Sequence, residues 1–454
     1  MMKESKNEAS TSQADADEDL LAALGYKQEL RRYFSPLQTF MLAFSLVGIV
    51  SSFSTVLIFS IPYGGPVTMI WGWTAAAGFL LMIALALAEL ASAAPTSGGL
   101  YYWTFSFSSD KYRCFLAWIV GYANTISNVA SVASIEWGCA VQIMAAASIG
   151  SEGFEASNAQ LFGVPKFIAT LQPYFTALNV VLCFVVIVLL PALTTQDLRN
   201  TADFAFGHFE NSINVALCFT MGNDVGAIVD SPIGQPLATI LLRSFGQKGA
   251  LAAWSFIVLA QFAIGTGQLT ACSRQIFAFT RDGALPFSAW VYRVDERTRA
   301  PIRSVWFSAF LTMLLGLITF AGANAINAVF ALVITGQYTA YAIPVAARWM
   351  GGKDFKPGPV NFGAWSLPIT VVAVTWMVFM SIIAMFPANP NPAVDSMNYT
   401  VVVQVGVLVL ATLYYFFPKY GGRYWFKGPI SNIEHTTSTP EKAVVPEDPP
   451  VDKY

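Results

Sequence analysis

A glycine followed by small and hydroxyl-bearing residues interrupts the first apolar segment of this chain. The sequence there reads Gly48, Ile49, Val50, Ser51 and Ser52. This pattern suits a break between two half-helices in mid-membrane, where freed backbone groups and a helix N-terminus bind an anionic group of a substrate. Close packing of small residues against a neighbouring helix is the alternative. These five residues are therefore the first candidate substrate-binding segment.

Polar side chains also recur along the third apolar run, from about residue 115 to 149. Asn124 and Asn128 are four residues apart and share one helix face with Ser131, and Glu136 follows as the one charged residue deep inside a span. A carboxylate within a membrane is costly unless it is paired or hydrated. Glu136 can contact a substrate amine or relay a proton. The alternative is a structural carboxylate bonded to a neighbouring helix.

Two further positions complete the candidate residues. Thr270 ends a run of small and hydroxyl residues from Gly265 that can line a cavity or contact an ion, although helix packing explains it as well. Glu89 lies where the second apolar span meets the next loop. We expect Glu89 to have an interfacial or loop-anchoring role rather than to contact substrate.

Other chemistry finds no support in the sequence. The five cysteines lie in or beside apolar segments without a CxxC spacing, which is typical of small buried hydrophobes rather than metal ligands. Both histidines lie outside the apolar spans. The chain has no HExxH, no GxSxG, no phosphate loop and no basic patch. The sequence therefore predicts no enzyme activity, no metal, no cofactor and no nucleic-acid partner.

The composition indicates what kind of scaffold holds these residues. The chain is 55% hydrophobic and 11% charged, whereas soluble domains carry about 25% charged residues. Most apolar residues fall in runs long enough to cross a bilayer, which predicts an all-α polytopic membrane protein and excludes a soluble domain or a β-barrel. The predicted spans lie near 38–62, 67–92, 115–149, 174–193, 250–277, 303–321, 325–347, 366–386 and 399–417.

The arginines set the predicted topology. Cytoplasmic loops carry an excess of Lys and Arg, and five arginines cluster around the loop after the 250–277 span: Arg281, Arg293, Arg297, Arg299 and Arg303. If the basic N-terminal segment is also cytoplasmic, an even number of crossings must precede this loop, yet only five predicted spans do. The apolar stretch 212–222 is shorter than the about 20 residues a span needs. It is nevertheless the best candidate for the sixth crossing.

Polar ends flank the membrane region. We predict a disordered and juxtamembrane cytoplasmic N-terminus over 1–35, a transmembrane transporter domain over 36–418, and a polar cytoplasmic tail over 419–454 that is disordered from Lys419.

Several long motifs occur together in this order. They are Tyr63–Val67, Glu89–Trp103, Ser231–Pro236 and Ser273–Phe287. With them the chain resembles the amino acid–polyamine–organocation superfamily, specifically its fungal branch of GABA, choline and polyamine permeases, from about residue 20 to 430. The resemblance is specific for the family and not for the substrate.

The resemblance implies twelve spans in a five-plus-five inverted repeat, the LeuT-like fold. A central site would lie at the unwound middles of the first and sixth helices, and Gly48–Ser52 would be the first of these. The third and eighth helices, near Asn124–Glu136 and Gly265–Ser273, would line the cavity. The implied activity is proton-coupled transport of amino acids or related amines by alternating access. The implied location is the plasma or vacuolar membrane.

The chain departs from the family in two places. Only Ser212 separates Asn211 from Ile213, where the family carries its sixth helix and the start of its seventh. A second shortening near Tyr174–Ala177 removes the fourth helix. We therefore expect about 9–10 spans in place of 12. A transport-inactive truncated isoform, or a membrane sensor that keeps the remaining fold, is the alternative to an active permease.

Overall fold

The computed structural model describes residues 47–62, 68–151, 217, 220, 226–295, 301–317, 323–352, 355–387 and 398–429. All of them belong to one compact unit that spans Arg32–Pro429. The regular structure in these ranges is helical, as the apolar runs predict.

Twelve helices are numbered here in chain order within the described ranges. They are α1 (Ile49–Ser60), α2 (Trp73–Ala93, preceded by a π-helical turn at Thr68–Gly72), α3 (Leu100–Phe107), α4 (Arg113–Gly150), α5 (Gly226–Val229), α6 (Pro236–Arg281), α7 (Ser288–Val291), α8 (Ile302–Gly316), α9 (Ala323–Met350), α10 (Ser366–Ile383, preceded by a 3-10 turn at Gly363–Trp365), α11 (Thr400–Phe416) and α12 (Gly422–Trp425).

Eight of these helices are apolar and correspond to eight of the nine predicted spans. Five are long enough to cross a membrane, namely α2 with its preceding turn, α4, α6, α9 and α10, and three are shorter, namely α1, α8 and α11. The prediction of an all-α polytopic membrane protein is confirmed. The predicted span near 174–193 lies outside the described residues, and so does the short stretch 212–222 apart from Leu217 and Thr220.

Helix α4 is the central element of the bundle. It runs unbroken for 38 residues, which is roughly 57 Å, and packs against α1, α3, α6, α8, α9 and α11. Its glycines allow close approach: a Cβ at Gly121 would lie 2.2 Å from the ring of Phe279 on α6. A Cβ at Gly336 on α9 would lie 3.0 Å from the Cβ of Ser127. The long third run predicted from the sequence is therefore the scaffold that positions the candidate residues.

Helix α6 consists of two helical parts that meet at a kink. Gly246 has φ 68° and ψ 177°, outside the helical region, and glycine adopts this conformation without the steric cost of a side chain. Pro236 begins the first part, where its missing N–H costs nothing. The second part contains the predicted 250–277 span and carries Thr270.

Glu89 ties the end of α2 to two other elements. Its carboxylate accepts a hydrogen bond from Arg348 Nη1 on α9, one from the Phe362 N–H at 3.1 Å, and one from Ser366 Oγ. The Glu89 and Arg348 side chains are 1% and 8% exposed, and the Arg348 guanidinium lies 3.9 Å from the centre of the Phe355 ring. Glu89 therefore anchors a loop, as predicted, but the anchored loop is the one that leads into α10 and not the one that follows α2.

The C-terminal segment corrects one expectation. Disorder was predicted from Lys419 onward, but residues up to 429 pack against the bundle. Phe426 is 3% exposed, and the rings of Phe426 and Trp425 lie 5.2 and 5.5 Å from the ring of Trp118 on α4. A Cβ at Gly422 would meet the same Trp118 ring at 2.8 Å. Aromatic residues in this short segment bury enough apolar surface to hold it in place.

Candidate substrate-binding site

The first candidate segment contains a helix start inside an apolar stretch. Gly48 has φ 47° and ψ 61°, in the left-handed region that glycine adopts readily. Its carbonyl accepts the Ser52 N–H at 2.8 Å, and Ser52 Oγ donates to the Val47 carbonyl, also at 2.8 Å. The predicted break at Gly48 is therefore present in the backbone.

The N-terminus of α1 has donors that the helix itself does not use. Among the described residues no side chain caps it, and the first N–H groups, those of Ile49, Val50 and Ser51, have no partner within the helix. The helix dipole places positive partial charge at the same end. An anionic group such as a carboxylate is the ligand that suits this position.

Helix α1 is fastened to its neighbours through a glutamine. Gln142 Nε2 on α4 donates to the Ser51 carbonyl at 3.1 Å and to Ser54 Oγ at 2.7 Å. Ser51 Oγ donates to the Ile257 carbonyl at 3.1 Å, and Trp254 Nε1 donates to the Gln142 carbonyl at 2.7 Å. The Ser51 hydroxyl is therefore used in contacts between helices. A substrate would have to bind the backbone N–H groups of this segment instead.

The second candidate group forms a network of amides between α4, α6 and α9. Asn128 Nδ2 donates to Asn124 Oδ1 at 2.8 Å. Gln268 Nε2 on α6 donates to Asn128 Oδ1 at 3.3 Å, and Gln337 Nε2 on α9 to Asn124 Oδ1 at 3.5 Å. Ser127 Oγ donates to Gln337 Oε1 at 2.9 Å. The structure thus brings Asn124 and Asn128 together with two glutamines from other helices.

This amide network is neutral but polar. Each carboxamide carries two N–H donors and a carbonyl acceptor, so the group can hydrogen-bond both an ammonium and a carboxylate. Asn124 is 7% exposed. In a membrane bundle, such side chains are typical of a path or site for polar solutes.

Gln337 was not among the residues predicted for the site, and Gln268 was covered only by the range Gly265–Ser273 expected to line the cavity. Each is an uncharged amide in the middle of an apolar helix, which is the signal that could have identified them. Only the tertiary packing shows that both face α4.

Thr270 and Glu136 stand apart from this network. Thr270 is exposed, and its Oγ1 donates to the Thr266 carbonyl of its own helix at 2.9 Å. Glu136 is also exposed and has neither an ion pair nor a hydrogen bond within the described part of the chain. It follows Asn124 by twelve residues, which is roughly 18 Å along α4 and roughly 120° around it. The two do not share a face.

The candidate residues therefore lie at three levels along α4. Gln142, which bonds Ser51, follows Asn128 by fourteen residues, or roughly 21 Å. Glu136 lies between these two levels. A single small amino acid does not reach the Gly48–Ser52 segment and the amide network at once. The role of each residue stays a prediction.

The described residues contain no group of three His, Cys, Asp or Glu side chains that could hold a metal ion. Cys114, Cys139 and Cys272 are free thiols.

Comparison with known proteins identifies the sequences this chain is similar to. A family model described as "Amino acid permease" matches residues 34–211 and 204–409. The GABA-specific permease of Saccharomyces cerevisiae is 31% identical, over 92% of this chain and 86% of the relative. An uncharacterized amino-acid permease of Schizosaccharomyces pombe is 31% identical, over 93% and 90%. An amino-acid permease of Arabidopsis thaliana is 27% identical, over 92% and 97%.

The alignments also show that this chain is shorter inside the matched region. The alignment with the yeast permease has 496 positions, while 92% of 454 residues is about 418, so about 78 positions have no residue in this chain. At about 20 residues per span, this length corresponds to two or three helices with their loops. The two family matches overlap at 204–211, directly before the Asn211–Ile213 junction where the sixth helix is expected.

Proposed function

Because this chain belongs to the amino acid permease family, we propose that it is a secondary transporter of amino acids or related amines that works by alternating access. The observation that carries the proposal is the break at Gly48 inside an apolar segment. Discontinuous helices in transporters present half-helix ends to the substrate at mid-membrane depth. The protein is an integral membrane protein, and we propose the plasma or vacuolar membrane as its location.

For the substrate we propose GABA, choline or a polyamine. One relative is named as a GABA-specific permease, and the N-terminus of α1 suits the carboxylate of an amino acid. Asn124 and Asn128 lie nearer than Ser51 to the end of α4 that begins at the basic residue Arg113, just after Lys111. We propose that the amide network lines the path between the Gly48–Ser52 segment and the cytoplasm.

We propose Glu136 for recognition of the amine or for proton coupling. It lies between the two polar groups along α4, and within the described residues no cation neutralises it. A carboxylate in this position can pair with a substrate ammonium or exchange a proton during transport. Thr270 stays a candidate for the cavity lining.

The proposal is tested by expressing the protein in fungal cells that lack their own permeases and measuring their uptake of labelled GABA. Unlabelled choline and an unlabelled polyamine are added as competitors. Gly48→Val should abolish uptake, because a β-branched residue is strongly disfavoured in the left-handed region. Gly78→Ala on α2 is the matched control, since a Cβ there meets nothing within 4 Å. Equal uptake by cells with and without the protein at the surface would refute transport, and retained uptake by Gly48→Val would refute the helix-break site.

One observation favours the alternative of a transport-inactive isoform or sensor. This chain leaves about 78 positions of the alignment unfilled, and the two family matches overlap directly before the Asn211–Ile213 junction. The helix expected at that junction would supply the second half-helix end at the site. Sequencing cDNA across the Tyr174–Leu178 and Asn211–Ile213 junctions tests this alternative. Dominant longer transcripts would show that the short chain is a splicing or gene-model product, and retention in the endoplasmic reticulum without uptake would support inactivity.

A further inference from the structure

An apolar groove lies on the side of the bundle, away from the candidate substrate site. It has a volume of about 420 Å³ between α4, α8 and α11. Its main lining residues are Ile126, Val129, Phe307, Leu311, Leu315 and Val407. The hydroxyl of Tyr122, at one end, already donates to the Ala284 carbonyl at 2.9 Å. The lining therefore suits an aliphatic ligand rather than a polar one.

The groove opens at the exposed face of α8, which is one of the apolar helices of the bundle. Leu314 lines it and is 45% exposed, and its neighbour Phe310 is 51% exposed. Phe307 and Leu315 span eight residues of α8, or roughly 12 Å. Helix α8 begins at Ile302, directly after the arginine-rich segment that the positive-inside rule places in the cytoplasm. Lipid of the cytoplasmic leaflet is thus the medium that meets this groove.

A cation lies just beyond the cytoplasmic end of the groove. Arg303 precedes Phe307 by four residues and so shares its face of α8, and helical side chains lean toward the helix N-terminus. The Arg303 guanidinium lies 5.7 Å from the centre of the Trp290 ring, and no carboxylate pairs with it within the described residues. Trp290 is 51% exposed, as expected of an aromatic residue at the membrane interface.

We propose that this groove binds one acyl chain of an anionic phospholipid of the cytoplasmic leaflet, whose phosphate contacts Arg303. The apolar lining accounts for the acyl chain. The guanidinium of Arg303, one helical turn away and paired with no carboxylate among the described residues, accounts for the anionic headgroup. The site is independent of the transport proposal, because none of its residues belongs to the candidate substrate site.

Photolabelling of the full chain in phosphatidylcholine vesicles tests the proposal. The probe is phosphatidylserine with a diazirine on one acyl chain, and labelled residues are identified by mass spectrometry. We expect adducts concentrated on the groove faces of α4 and α8. Leu311→Trp should fill the groove and reduce these adducts at least fivefold, whereas Leu410→Trp, at a position 67% exposed on α11, should not. Arg303→Gln should reduce phosphatidylserine labelling about fivefold, and Arg293→Gln, at an exposed position, should leave it unchanged.

Adducts spread evenly over the lipid-facing helices of the unmodified protein would overturn the groove, and this readout needs no variant to fold. Equal labelling by a phosphatidylcholine probe, unaffected by Arg303→Gln, would overturn the anionic headgroup. Displacement of the probe by inorganic phosphate would indicate a free-anion site instead. A cross-linked dimer in place of lipid adducts would show that a second copy covers the groove.

Discussion

The buried ion pair between Glu89 and Arg348 holds the end of α2 against α9 and the segment that leads into α10. Its side chains are 1% and 8% exposed. Glu89 accepts two further hydrogen bonds, from the Phe362 N–H and from Ser366 Oγ. We predict that the two substitutions are strongly non-additive, so that neutralising both partners destabilises the protein about as much as neutralising one.

The magnitude follows from the burial of the two charges. Removing one partner of a buried pair leaves an uncompensated charge and costs about 3–5 kcal/mol. Arg348→Met keeps most of the volume of the side chain, so its effect is chiefly the stranded Glu89 carboxylate. Glu89→Gln keeps an acceptor oxygen for Phe362 and Ser366. The stability that it loses is therefore chiefly the cost of leaving the Arg348 guanidinium buried without a counter-charge. The double variant strands neither charge, and we expect a coupling free energy of about 3 kcal/mol.

Thermal unfolding in detergent measures this coupling through a double-mutant cycle. At about 2 °C per kcal/mol, each single variant should lower the melting temperature by about 6 °C or more. The double variant should unfold within a few degrees of one single variant. The exposed pair of Asp110 and Arg113, whose side chains are 77% and 38% exposed, is the matched control. For it we expect a coupling below about 1 kcal/mol.

Additive effects of the two substitutions at Glu89 and Arg348 would refute the reasoning, because independent contributions mean that neither charge depends on the other. A coupling no larger than that of the Asp110 and Arg113 control would refute it equally. The cycle uses only relative melting temperatures, so a general loss of stability in one variant does not produce a false coupling.

Three further predictions concern the site and the C-terminal segment. Glu136→Gln should reduce uptake of a cationic or zwitterionic substrate and flatten its pH dependence, whereas Asp110→Asn should change neither; unchanged uptake and pH profile would exclude Glu136 from recognition and coupling. Gln337→Leu removes a hydrogen-bonding partner from the amide network, and each polar group left unsatisfied costs about 1–3 kcal/mol. We expect uptake to fall about tenfold at unchanged surface expression. Normal uptake would contradict a role for the network. Gly422→Val should clash with an indole ring and lower stability by about 1–3 kcal/mol, whereas Gly406→Val, where a Cβ meets nothing within 4 Å, should have little effect; equal melting temperatures would mean that the segment is not packed in solution.

Much of the fold could be predicted because hydrophobic length is a strong local signal. Long apolar runs identify spans without any knowledge of their partners, and eight of them are helices in the structure. The break at Gly48 was also predictable, since a glycine before clustered hydroxyls is a local pattern. The anchoring role of Glu89 followed from a carboxylate placed where a span meets a loop.

The rest depends on which helix faces meet. Helix periodicity alone separates Glu136 from Asn124 by roughly 120°, but only the packing of α6 and α9 brings Gln268 and Gln337 to the asparagines. The segment from Lys419 reads as a polar tail by composition, yet Trp425 and Phe426 pack on Trp118. Contacts between residues about 300 positions apart in the sequence cannot be predicted from the local pattern of residue types.

The most direct test of the transport proposal is uptake by purified protein in liposomes. The 454-residue chain is reconstituted with an inward proton gradient, and entry of labelled GABA is followed with choline and a polyamine as competitors. Transport predicts accumulation above that of protein-free liposomes, displaced by at least one competitor, lost in Gly48→Val and retained in Gly78→Ala. No accumulation of labelled GABA, nor of labelled choline or polyamine supplied in its place, by a folded, monodisperse protein would contradict transport. That result would favour the alternative that this chain is a transport-inactive isoform or sensor.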